Sequence, residues 1–395
     1  MDYKISVVIP CYNAAATLPR AFASLQAQSI GFGALQVLLA DDCSTDGSWA
    51  LLQGWAAQYP NVTALRTPRN SGFAGAPRNL ALGQVAAPYV MFLDNDDAFA
   101  PDACAALYRE AEATGADLVT GYYREVAEDG RPLNLRAPAC RITAARKVYA
   151  FPQDYAEIGE VRQIFWCKLY RAARIAQAPL RFAEQSSMED VLFLAQYLML
   201  ARSMIFLDVL VYNFTVRAGS ISHSYTERYL AGRAADMMRL YEIYAGAGQP
   251  ACFDAECRGD AAHYLSLIFT SRQIPDEAAR LRLLQAWQPM ARLALTRGLV
   301  DSDMAALLQL VADGDTAAVL HQCPQFLLVR TAAHLQQQEQ ELQRVDTAYQ
   351  ELLTAHRALI AAHDALLAER NAAQNKLNRW PLYRLTRWVW HKIKR

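Results

Sequence analysis

Two periodicities alternate along the first half of the chain. Short apolar runs at residues 5–10 (ISVVIP), 35–40 (LQVLLA), 62–66 (VTALR), 89–93 (YVMFL) and 117–121 (DLVTG) read as strands. Several are apolar at every position rather than at alternate ones, the pattern of a parallel strand covered on both faces. Between them, residues 17–28, 48–58, 75–84 and 101–114 are amphipathic with helical spacing. This alternation predicts an α/β protein with a doubly wound, mostly parallel sheet. Sheets of that kind take ligands beyond the carboxyl ends of their strands. Residues 131–183 are irregular, with aromatics in QIFWCKLY, followed by a predicted helix at 187–200 and an extended run at 205–214.

After about residue 225 the pattern is helical only, in ERYLAGRAADMMRLYEIYA, AAHYLSLIF, EAARLRLLQAWQPMARLAL and DMAALLQLVA, each with the 3.6-residue period. A helical subdomain packed on the sheet domain is expected. Residues 332–378 lack Pro and Gly and read as one long helix. Leu335, Leu342 and Tyr349 share one heptad position, and Val345, Leu352, Leu359 and Leu366 another; Leu353, Ile360 and Leu367 broaden the stripe, and His356 and His363 interrupt it. The pattern fits a coiled coil and a homo-oligomer, with folding back on the chain's own domain as the alternative. Beyond Glu369 no acidic residue follows, while eight basic residues from Arg370 to Arg395 interleave with Trp380, Tyr383, Trp388 and Trp390. Indole rings among cations suit an anionic membrane surface; docking of the tryptophans on the protein body is the alternative. The expected division is an α/β domain at 1–225, a helical subdomain at 226–331, the long helix at 332–378 and the tail at 379–395.

Composition narrows the class without naming it. Hydrophobic residues at 53% and charged residues at 20% fit a packed globular protein and exclude extensive disorder. Lys plus Arg and Asp plus Glu are 39 each, so net charge gives no reason for a nucleic-acid partner. The eight cysteines are scattered without CxxC pairs, which argues against a structural zinc site or a disulfide framework and suits a reducing compartment. The opening MDYKISVVIP lacks a signal-peptide pattern, and no apolar run approaches the roughly 18–20 residues of a membrane span. The expectation is a cytoplasmic protein, peripheral on the membrane through its tail.

Three acidic clusters follow or open apolar segments: Asp41-Asp42, Asp94-Asn95-Asp96-Asp97 and Glu189-Asp190. The first two lie at predicted strand ends, on the ligand edge of the sheet. So much negative charge calls for a counter-charge, and a divalent cation with oxygen ligands, Mg²⁺ or Mn²⁺, supplies one. Arg69, Arg78 and the amides around Gly72 and Gly75 are placed to meet phosphate oxygens. Each cluster alone also has a plain reading, as a helix cap, a solvated loop or an acidic first turn.

Taken in order, SVVIPCYNAAATLPRAFASLQAQS, LLADDCSTDGS, RNSGFAGAPRNLAL, YVMFLDNDDAF, FWCKLYR and MEDVLF resemble the family 2 glycosyltransferases of the GT-A (Rossmann-like) fold, over roughly residues 4–220. The resemblance implies a nucleotide-sugar donor, usually a UDP-sugar. It implies that Pro10, Tyr12 and Asn13 lie against the base and ribose, that Asp41 and Asp42 recognise the base, and that Arg78 lies near the diphosphate. Asp94-Asn95-Asp96 matches the DxD motif, with Asp96 as metal ligand and Asp94 at the ribose or the metal. Asp190 matches the catalytic base of an inverting transfer, supported by Glu189. The implied acceptor is a glycan or lipid-linked hydroxyl in surface-polysaccharide synthesis. Two departures stand out: Cys43 where the family commonly has Gly, and Trp166-Cys167-Lys168 where it often has Trp-Asn-Lys. Two other readings compete. A nucleotidyltransferase would carry a glycine-rich loop where Pro10-Cys11-Tyr12-Asn13 stands, and a catalytically inactive scaffold would act through the long helix.

Overall fold

The computed structural model describes residues 2–139, 146–151, 153–155, 164–178, 180–217, 225–379, 387 and 390–392. Four parallel strands carry its amino-terminal half: β1 (Ile5–Cys11), β2 (Leu35–Asp41), β3 (Val62–Arg66) and β4 (Tyr89–Phe92). Every residue of β1, β2 and β4 is buried, as uninterrupted apolar runs require. The helices between them are α1 (Leu18–Gln26), α2 (Ser48–Gln58) and α3 (Gly75–Leu82), and α4 (Ala103–Thr114) follows. Proline in the first turn of α1 and left-handed Gly115 just past α4 mark their ends.

The sheet continues through short β5 (Ala98–Phe99), β6 (Leu118–Val126), β7 (Ala137–Pro138), β8 (Val148–Ala150), β9 (Lys168–Arg171) and β10 (Ser203–Thr215). Its order is β3-β2-β1-β4-β9-β6-β10-β5, with β7 on β6 and β8 on β10. β1 runs parallel to both β2 and β4, so the chain order reverses there and leaves a crevice beyond their carboxyl ends. β9 enters antiparallel between β4 and β6. Behind it Phe92, Phe165, Tyr170, Phe182 and Phe193 form a buried aromatic layer with centroids 4.1–6.2 Å apart.

Two further helices, α5 (Ala172–Gln177) and α6 (Glu189–Leu200), follow β9. The helical half comprises α7 (Glu227–Gly246), α8 (Pro250–Cys257), α9 (Asp260–Thr270), α10 (Glu277–Thr296) and α11 (Ser302–Asp313). Side-chain caps from Thr226, Asp276 and Asp301 fix the starts of α7, α10 and α11. Buried Asp236 of α7 accepts from Ser186 Oγ at 2.7 Å, tying the helices to the turn before α6. A buried chain of hydroxyls, Tyr155 to Tyr244 at 2.9 Å and Tyr244 to Glu256 at 2.9 Å, makes a second tie.

The chain forms two compact units, Met1–Cys323 and Pro324–Arg395, so sheet and helical half share one body. The last helix, α12 (Thr316–Arg379), starts sixteen residues before the expected 332 and contains Pro324. Asp315 explains the earlier start, because its carboxylate caps the Ala318 N–H at 3.1 Å directly after left-handed Gly314. The tail residues Trp380, Tyr383, Arg384, Trp388, Lys394 and Arg395 lie outside the described residues, as does His223. Among the described residues no helix is long and apolar enough to cross a membrane, and no disulfide joins the described cysteines.

Candidate active site

The loops after β1 and β2 are laced together at the crevice. The Asp42 N–H donates to Cys11 O at 2.7 Å, Asn13 N–H to Ser44 Oγ at 2.9 Å, and Thr45 N–H to Asn13 Oδ1 at 2.8 Å. Asn13 takes a left-handed backbone (φ 46°), which asparagine tolerates better than most residues. From the β4 side Asn95 Nδ2 donates to the carbonyl of buried Pro10 at 3.0 Å. Tyr12 is left exposed at the lip.

The acidic pair ending β2 divides into two roles. Asp42 spends both oxygens on the loop at 67–71: Thr67 Oγ1 donates at 2.8 Å, and the Ser71 N–H and Oγ at 2.9 and 2.8 Å. Asp41 accepts from the Ser44 N–H at 3.1 Å and pairs with Arg66 Nε at 3.1 Å through Oδ2. Its Oδ1 is buried without a partner. An unsatisfied buried acceptor costs about 1–3 kcal/mol, which a donor N–H on a ligand would recover. Directly after the pair Cys43 stands in the left-handed region (φ 58°), where glycine would carry no strain, and its thiol donates to Thr67 O.

Arg78 connects the remaining clusters. Its buried guanidinium donates through Nη2 to Asp94 Oδ1 at 2.8 Å and through Nη1 to Glu189 Oε1 at 2.9 Å. It lies over the rings of Phe165 and Phe182, 4.5 and 5.3 Å from their centroids. Burial works against its charge, and Asp94, Glu189 and Asp190 overcome that and raise its pKa. The reach to Glu189 depends on Gly75 opening α3. A Cβ there would meet Ala183 O at 2.6 Å, so only glycine lets α3 approach the turn before α6 this closely.

Glu189 and Asp190 occupy the first turn of α6, half-buried. Burial, followed by the charge of Asp190, pushes the Glu189 carboxyl up to about 7. Burial also raises Asp190, against the opposing charges of Arg78 and Arg233. A carboxylate whose proton affinity is raised toward neutrality suits proton abstraction.

In the segment after β4, Asp94 and Asp96 are half-buried, and Asp97 is buried with another task. Asp97 accepts from Tyr212 Oη at 2.9 Å and the Thr215 N–H at 2.6 Å, pinning β10 to this turn. Burial, then the charges of Asp94 and Asp96, push it up to about 8. Asp96 is raised by burial and by Asp94, and Arg217 Nη1 approaches it at 3.8 Å. Arg20 donates to the Asp96 carbonyl, to Thr215 Oγ1 at 2.7 Å and to Glu128 O at 3.2 Å. Asp94 and Asp96 are the residues that would fit a divalent cation, since burial and the charge of Asp94 raise Asp96 without one. Among the described residues no group of three His, Cys, Asp or Glu side chains gathers to hold a metal. Two carboxylates suit Mg²⁺ or Mn²⁺ completed by diphosphate oxygens and water.

The structure thus brings Pro10, Tyr12, Asn13, Asp41, Asp42, Asn95 and Asp96 to the carboxyl edge, and links Asp94 through Arg78 to the turn bearing Glu189 and Asp190. Arg69 is exposed and its side chain joins none of these bonds. Two aromatics of the QIFWCKLY segment are packing residues. Tyr170 is fully buried, and Trp166 is stacked on Tyr212 and Phe214 with centroids 4.2 and 5.6 Å away. Arg20, Tyr212, Arg217 and Arg233 escaped the sequence reading, because each joins the site through contacts remote along the chain. A lone arginine in an amphipathic stretch carries no local mark of that.

Residues 6–173 match the family described as Glycosyl transferase family 2. The chain is 25% identical over 257 residues to the glycosyltransferase GlyA of Streptococcus pneumoniae, covering 63% of this chain and 36% of that protein. It is 31% identical over 132 residues to a poly(ribitol-phosphate) beta-glucosyltransferase of Bacillus spizizenii, covering 33% and 21%. The chain therefore spans well under two thirds of the length of either relative. In fold it is similar to residues 1–349 of S. aureus TarS, a structure in complex with UDP, with a TM-score of 0.63 at 20% identity over 80% of this chain and 89% of that one. The matched segment holds β1 to β4, the turn bearing Asp94 and Asp96, Arg78 and β9, and over these residues the chain is similar to glycosyltransferase family 2.

Proposed function

We propose that the chain is an inverting glycosyltransferase that moves a sugar from a nucleoside-diphosphate sugar, a UDP-sugar, to a hydroxyl of a glycan or lipid-linked acceptor in surface-polysaccharide synthesis. The observation that carries this reading is the Arg78 bridge. One buried guanidinium holds Asp94 of the DxD turn and Glu189 beside Asp190, so donor and acceptor machinery are fixed to each other. The unpartnered Asp41 Oδ1 fits the N–H of a uracil ring, and exposed Tyr12 fits the face of the base. Relatives named as poly(ribitol-phosphate) glycosyltransferases support the acceptor class.

Asp190 takes the proton of the acceptor hydroxyl as that oxygen attacks the anomeric carbon from the face opposite the leaving diphosphate. Glu189, held by Arg78, keeps Asp190 in register. Asp96 and Asp94 would hold a divalent cation, whose chemistry there is Lewis-acid neutralisation of the leaving diphosphate. The intact carboxylates leave the inactive-scaffold reading without an observation of its own. Attachment to an anionic membrane surface through the tail remains part of the proposal, tested by liposome flotation with and without residues 379–395; equal partitioning would remove it.

The deciding experiment is nucleotide release from UDP-, GDP-, dTDP- and CMP-sugars with Mn²⁺ or EDTA, for wild type and Asp96→Ala. Release from one donor, dependent on metal and lost in the variant, is expected. No release and no donor binding by calorimetry across the panel would overturn the reading.

A further inference from the structure

Leu359 and Leu366 of α12 are 69% and 65% exposed, and Tyr349 and Ile360 are 58% and 49% exposed. A repeating apolar stripe on a helix of 64 residues marks an interaction surface. We propose that residues 335–373 pair with the same stretch of a second copy as an antiparallel two-stranded coiled coil.

The occupants of the heptad positions argue for a second copy in that orientation. One core position runs Leu335, Leu342, Tyr349, His356, His363, Arg370; the other runs Gln338, Val345, Leu352, Leu359, Leu366, Ala373. A parallel, in-register pair would set each core residue against itself. His356, His363 and Arg370 would then form three polar layers alternating with those of Leu359 and Leu366, each costing stability. An antiparallel pair with Tyr349 opposite the partner's Leu359 removes that conflict. Leu342 then meets the partner's Leu366, His356 the partner's Leu352, and His363 the partner's Val345. Arg370 falls in an end layer beside the partner's Gln338, where water reaches it.

Charge complementarity points the same way. Residues 332–352 carry four acidic side chains, Glu339, Glu341, Asp346 and Glu351, against one basic, Arg344. Residues 353–379 carry four basic, Arg357, Arg370, Lys376 and Arg379, against two acidic, Asp364 and Glu369. Antiparallel pairing lays each acidic half along a basic half, whereas parallel pairing lays like on like. The resulting contact is isologous and closes at two copies.

Light scattering of the full chain should give twice the chain mass, and Leu359→Glu with Leu366→Glu should give a monomer that releases nucleotide from its donor at the wild-type rate. Under mild oxidation Tyr349→Cys with Leu359→Cys should form a covalent dimer on a denaturing gel, while Tyr349→Cys alone and wild type should not. A monomeric wild type, a mass above two chains, or a dimer unaffected by the glutamates overturns the proposal. A covalent dimer from Tyr349→Cys alone overturns the orientation in favour of parallel pairing.

Discussion

Glu189 and Asp190 share one helix turn in a buried setting, and the physics of that turn fixes how activity depends on pH. Both carboxyls hold their protons more tightly than free side chains, Glu189 up to about 7. The base must be ionised and burial raises Asp190, so transfer should fall as pH drops, with a midpoint above the free aspartate value, a profile read from kcat between pH 4 and 9. Asp190→Asn should cost about 10²–10⁴ in kcat while leaving UDP affinity near wild type; undiminished turnover would remove Asp190 from the role. Linkage adds a second readout. A carboxyl raised in the folded state contributes stability below its unfolded pKa, near 3.9 for aspartate, and loses it as pH rises through the folded value. Asp190→Asn should therefore raise the melting temperature at pH 8, with the gain shrinking toward pH 4. At Asp41 the expectation is the reverse in kind: Asp41→Asn should weaken UDP binding by about 1–3 kcal/mol in calorimetry, because the orphaned Oδ1 is the acceptor lost. Unchanged affinity would show that the oxygen does not face the base.

At the scale of elements, the approach of α3 to the turn before α6 sets the distance between the two halves of the chemistry. Gly75→Ala would push a methyl into Ala183 O at 2.6 Å with backbone atoms at 3.1 and 3.2 Å behind it, so the helix must retreat and Arg78 with it. A loss of about 1–3 kcal/mol in stability and a fall in kcat larger than the change in donor affinity are expected, from denaturation and steady-state kinetics. The strands of the first half were legible because complete burial leaves an unbroken apolar run, as in β1, β2 and β4. Residues 131–183 were not, because β7 and β8 span two and three residues and β9 gains its place by antiparallel pairing with β4 and β6. Local sequence holds no trace of such partners. The same limit explains the site: acidic clusters at strand ends announced themselves, whereas Asp42 as a loop anchor and Asp97 as the pin of β10 emerge only from what their oxygens touch. Likewise Cys43 stands where the resembled family commonly has Gly, and its positive φ, which glycine alone adopts without strain, emerges only from the backbone.

For the whole molecule, the boundary between the two compact units falls inside α12, at Cys323. Val319 and Cys323 are fully buried, so the first two turns of that helix belong to the packing of the larger unit. Every residue assigned to donor, metal or proton transfer lies before that boundary, and so do the ties of Asp236 to Ser186 and of Tyr155 through Tyr244 to Glu256 that join the helical half to the sheet. A chain ending at residue 327 keeps these contacts and the buried turns of α12, and discards the apolar stripe. It should unfold cooperatively within about 4 °C of the full chain, a margin of roughly 1 kcal/mol or less for a unit this large. It should also release nucleotide from the donor at the full-chain rate and run as a monomer. Loss of cooperative unfolding would mean that the remainder of α12 stabilises the catalytic unit. Loss of donor turnover with folding intact would mean that it contributes to the site itself. Retention of both would assign residues 328–395 to where, and in what company, the enzyme works.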